Sequence, residues 1–76
     1  MITGKMFRLK NSILAVEAIN GKRLAVPLPP GAIIRVTGGS TKTVKGMVDI
    51  QWMDRYLAMF AIDIEERSEQ LETTSV

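Results

Sequence analysis

Three aspartates and one glycine-rich loop are the features of this sequence that could carry chemistry. Asp49, Asp54 and Asp63 could converge on a metal ion, and "GGSTKT", Gly38 to Thr43, combines glycines, a lysine and threonines as phosphate-cradling loops do. Each has a plainer reading. Asp49 falls on a strand pattern, Asp54 in a turn, and Asp63 where a helix would be capped. The loop lacks the spacing G-x-x-x-x-G-K-[ST], and no helix follows it to offer an N-terminus. The chain contains neither Cys nor His, so it has no thiol nucleophile, no imidazole acid–base group and none of the ligands of a structural zinc site. No carboxylate pair has a spacing that would make one member an acid and the other a base. The expectation is a non-enzyme without cofactor or metal.

Charge is the next resource. Residues 1 to 45 hold eight of the ten Lys and Arg against Glu17 alone, a charge of +7, and residues 46 to 76 hold two against seven acids, a charge of −5. Such a split suits a basic nucleic-acid surface or complementary ends for self-association. Arg35, Lys42, Lys45 and Arg55 are the candidate nucleic-acid contacts, with Tyr56 near enough to stack on a base.

The elements that must position these residues are short. "AINGKR" carries Asn20-Gly21, the preferred pair for a two-residue hairpin whose central residues both need positive φ. It predicts strands from about Ser12 to Ile19 and Lys22 to Leu28, the alternative being a helix over Ile13 to Ile19 capped by Ser12 and Asn20-Gly21. In "PLPPG", Pro27 points to an edge strand because it has no N–H for a ladder, and Pro30-Gly31 to a turn. Ala32 to Val36 reads as a third strand, followed by a loop with its tip at Gly38-Gly39, and "KGMVDIQW" as a fourth, with Gly46 near its start where a bulge or sharp bend would be easy. A tight turn, "MD" or "DR", leads to a fifth, Tyr56 to Ile62. That pairing puts Val48, Ile50 and Trp52 on one face with Leu57, Met59 and Ala61, the expected core. Asp63 with Glu66 three residues on forms a capping box for a short helix, about Ile64 to Leu71. The expected organisation is an N-terminal segment (1–11), a small β-barrel (12–71) and a disordered tail (72–76).

The pattern "LPPGAIIRV…GMVDIQW…RYLAMFAIDI" resembles SH3-like barrels, and is similar to short bacterial proteins with "LP-x-G", "V-x-V-x-W" and "F-x-x-D-[IL]-x-E-R" in this order. The resemblance runs from Leu24 to Arg67 and implies a fold: all-β, a five-stranded SH3-like half-open barrel with a short C-terminal helix. It implies no activity.

Apolar residues on the fifth strand do not keep to one face. Met47, Met53, Tyr56, Phe60 and Ile62 fall opposite the expected core and form a candidate protein interface. With 46% hydrophobic residues in 76, the chain is near the lower limit for a self-sufficient core and has neither a disulfide nor zinc to compensate. Oligomerisation is the usual remedy, most often as a dimer, and Tyr and Met suit interfaces. The alternatives are another protein as partner, or coverage of this face by "MFRL" (Met6 to Leu9) or by the terminal helix. No stretch approaches the roughly 18 apolar residues of a membrane span, and no secretory h-region follows the N-terminal charges. The expected location is cytoplasmic.

Overall fold

The computed structural model describes residues 4–38 and 46–71. The tip residue Gly39, Lys42, Lys45 and the tail at 72–76 lie outside the described residues. Seven strands and one helix follow in order: β1 (Met6–Leu9), β2 (Ile13–Ile19), β3 (Lys22–Leu28), β4 (Ile33–Gly38), β5 (Met47–Trp52), β6 (Arg55–Phe60), α1 (Ala61–Arg67) and β7 (Ser68–Leu71). The strands form one antiparallel sheet in the order β3-β2-β6-β5-β4-β1-β7.

The turns follow from backbone chemistry. Asn20 and Gly21 both have positive φ, 52° and 77°, as the hairpin between the paired residues Ile19 and Lys22 requires. Ile13 to Ile19 is therefore strand and not helix. The Ala32 N–H donates to the Pro29 carbonyl across Pro30-Gly31, with Gly31 at φ 85°. Proline and then a positive-φ glycine make this a type II turn. Trp52 pairs with Arg55 across Met53-Asp54, and Met53 takes positive φ, 56°, a region an L-residue enters at a cost.

One face of the sheet is the core. Ile13, Ala15, Leu28, Ile34, Val36, Val48, Ile50, Leu57 and Met59 are buried together, and Trp52 packs against them.

The structure corrects the expected architecture in four places. The described residues form seven strands, because Met6–Leu9 is inserted between β4 and β7 with Phe7 and Leu9 in the core. The helix starts at Ala61, directly after β6, and Asp63 lies in its first turn, not at its cap. Its start is set by a non-local bond, from the Ala61 N–H to the Gly46 carbonyl at 2.9 Å. The helix ends at Arg67, whose carbonyl accepts the Lys10 N–H at 2.8 Å, while the buried Ser68 hydroxyl bonds to the Ile64 carbonyl. Ser68–Leu71 then pairs with β1 instead of continuing the helix. Finally, the bulge lies on β4 around Thr37, where the register shifts between Val36 and Gly38, while Gly46 takes positive φ, 90°, in the bend that leads into β5.

Candidate functional site

The side of the sheet away from the core is also largely apolar. Alternation fixes its members: Leu14, Val16 and Ala18 on β2, Arg23, Ala25 and Pro27 on β3, Tyr56, Ala58 and Phe60 on β6, and Met47, Asp49 and Gln51 on β5. The registers align them in rows across four strands, with Ala25, Val16, Ala58 and Asp49 in the middle one. Neighbouring rows hold Leu14 with Pro27 and Met47 with Phe60 on one side, and Ala18 with Arg23 and Gln51 with Tyr56 on the other.

Neither β1 nor α1 covers this face. Phe7, Leu9 and Ile64 all point into the core. Leu14 remains 62% exposed, Tyr56 68% and Phe60 45%. Tyr56 and Phe60 with Val16, Ala18, Ala25 and Ala58 line a groove of about 860 Å³, with alanines on its floor and large side chains on its walls, and Leu14 stands beside it on the same face. Two charged groups lie in it: Arg23 on the outermost strand β3, and the half-buried Asp49 on β5. Asp49 leans over the bulged strand. A Cβ on Gly38 would sit 3.1 Å from its Oδ2, so glycine leaves the carboxylate its place.

The five expected interface residues divide. Tyr56, Phe60 and Met47 line the groove, although Met47 is buried within it. Met53 stands exposed at the β5–β6 turn, beside Met6, Ile33, Arg35 and Gln51. Ile62, expected on a fifth strand, is instead an exposed residue of α1. Val16, Ala18 and Ala25 complete the groove, with Leu14 beside it on the same face, and were not expected there. For the members on β2 the signal is in "ILAVEAI", which is apolar at both alternating sets of positions except at Glu17.

The basic candidates are not brought together by the described strands. Arg35 pairs with Gln51 on the outer side. Arg55 lies on the inner side, with its guanidinium forked onto Glu17: Nη2 to Oε1 at 2.5 Å and Nε to Oε2 at 3.2 Å. The same guanidinium sits 5.9 Å from the centre of the Trp52 ring. Hydrogen bonding to Arg55 holds the Glu17 carboxyl below its ordinary range and raises the Arg55 pKa, an effect partly opposed by desolvation and reinforced by the attraction of the charges. Asp49, Asp54 and Asp63 do not converge: among the described residues no cluster of three or more potential ligands could hold a metal ion. Among the described residues, no helix is long and apolar enough to cross a membrane.

Comparison with protein-family models, with curated proteins and with solved structures gives no match. The surface itself is the guide to function.

Proposed function

We propose that the chain is a cytoplasmic, non-catalytic interaction module, an elaborated SH3-like barrel that works by burying the outer face of β2, β6 and β5 against a protein surface. The observation that carries this reading is the exposure of Leu14, Tyr56 and Phe60 on one apolar face that no described segment of the chain covers. Contiguous apolar surface of this kind is uncommon on monomers and usually marks a contact. Small residues on the groove floor let a partner approach closely, and aromatic walls supply the large contact area typical of interface anchors. A second copy of the chain is the natural first partner, since an exposed apolar face can be buried against its own copy about a two-fold axis, the commonest form of association.

The test is the native mass of the wild type and of Phe60→Asp, by size exclusion with light scattering over a concentration series. The wild type should exceed the monomer mass at high concentration and Phe60→Asp should remain monomeric. An assembly whose mass ignores this substitution would remove the reading.

A further inference from the structure

We infer that the groove is self-complementary and that its occupant is a second copy, related by a two-fold axis lying in the plane of the face and running along the strands between β2 and β6. This rests on the reading of the outer face as an interface. In a face-to-face pair a two-fold axis must lie in the interface plane, and it then exchanges the two sides of the face. The β2 side of one copy therefore meets the β6 side of the other. The strand registers supply the consequences. Val16, which pairs with Ala58 within the chain, meets the partner's Ala58 across the axis. Continuing the same antiparallel ladder, Tyr56 comes over the partner's Ala18, and Phe60 over the partner's Leu14. Bulky residues thus face small ones in the middle and toward the hairpin end, and two large apolar residues meet at the other end.

The charges obey the same operation. Arg23 on β3 and Asp49 on β5 stand on opposite sides of the axis, with β2 and β6 between them, about 14 Å apart at three strand spacings. Exchanging the sides brings each Arg23 toward the partner's Asp49 and keeps like charges apart. The offset between them along the strands is one alternating position, about 7 Å, which the length of an arginine side chain spans. Within the chain, among the described residues, the ion pairs are Arg8 with Glu69 and Arg55 with Glu17, so neither Arg23 nor Asp49 is engaged there. Such pairs at the edge of an apolar contact fix orientation more than they add affinity.

The experiment is a charge exchange in the full chain, read as the dimer dissociation constant by sedimentation equilibrium. Arg23→Glu and Asp49→Lys should each weaken the dimer by about tenfold or more, since each sets like charges against one another twice per dimer. The combined variant should return to within about threefold of the wild type, the signature of a direct pair in a double-mutant cycle. If Asp49→Lys fails to fold by circular dichroism, Asp49→Asn replaces it and should tighten the Arg23→Glu dimer by relieving the repulsion. A combined variant as weak as the singles overturns this arrangement. Should Phe60→Asp still abolish association in that case, the outer face stands as the interface and only the orientation falls. A wild type that stays monomeric up to a concentration on the order of a millimolar overturns the second copy as occupant.

Discussion

Met59 and Phe60 are consecutive on β6 and point to opposite sides of the sheet, so truncating each to alanine weighs one face against the other. Met59 has no exposed surface. Met59→Ala removes a fully buried side chain from the centre of the core and should cost about 2–5 kcal/mol in lost transfer energy and residual cavity. Phe60 is 45% exposed, so little more than half of the roughly 1.5–3 kcal/mol for full burial is at stake, and its site opens to solvent without leaving a cavity. Phe60→Ala should therefore cost about 1–1.5 kcal/mol at low concentration. A domain of this size has about 4–11 kcal/mol in total, so urea unfolding followed by the single tryptophan, Trp52, resolves the two. Concentration separates them further. When the face is an interface, each tenfold rise in free partner above the dissociation constant adds up to about 1.4 kcal/mol to the wild type. That increment is lost with Phe60→Ala and kept with Met59→Ala. Equal costs for the two variants, unchanged across the concentration series, would refute the assignment of Phe60 to a docking face.

Two further predictions concern the hairpin ends. Glu17 has a depressed pKa in the folded protein, so its contribution to stability is present above its ordinary value of 4.5 and is lost as pH falls through the folded value. Urea midpoints measured from about pH 6 to about pH 3 should fall more steeply for the wild type than for Glu17→Gln, and equal slopes would show that the pair with Arg55 does not form in solution. At the β5–β6 turn Met53 is 73% exposed with φ 56°. Relief of about 1–2 kcal/mol of left-handed backbone strain, less about 0.5–1 kcal/mol for glycine's extra chain entropy, leaves Met53→Gly more stable by about 0.5 kcal/mol or slightly above. A lower urea midpoint would mean that the Met53 side chain makes contacts that hold the turn.

Local chemistry made much of the sheet legible. Asn20-Gly21 set the β2–β3 hairpin, Pro30-Gly31 set a turn, and the alternation from Val48 to Met59 separated the two faces of β5 and β6. The strands β1 and β7 escaped because each is only four residues long, and they pair with one another from opposite ends of the chain. No short window contains that information. The helix was misplaced for a similar reason: Asp63 and Glu66 form a sound local capping signal, but the Ala61 N–H is already held by Gly46. In the groove, Tyr56 and Phe60 could be read from the failure of alternation on β6, and Met47 from its place opposite the core side of β5. Leu14, Val16 and Ala18 could not, because their place beside β6 depends on which sheet edge the hairpin joins.

The topology also favours the face over the edge as the place of contact. Strand β3 has a neighbour on one side only among the described residues, and an exposed edge invites strand addition. In a two-residue hairpin Ile19 and Lys22 exchange both backbone hydrogen bonds, so the positions with outward-facing backbone groups on β3 are Arg23, Ala25 and Pro27. Pro27 has no N–H to offer there, which costs the native ladder nothing but shortens any ladder a newcomer could form. Lys22 and Arg23 add charge at the other end of the strand. What remains is a stub centred on Ala25, too short to hold a strand by backbone bonds. The outer face has no such guard: its rows are apolar across β2 and β6, and its two charges stand where a second copy turned about the strand direction brings opposite signs together.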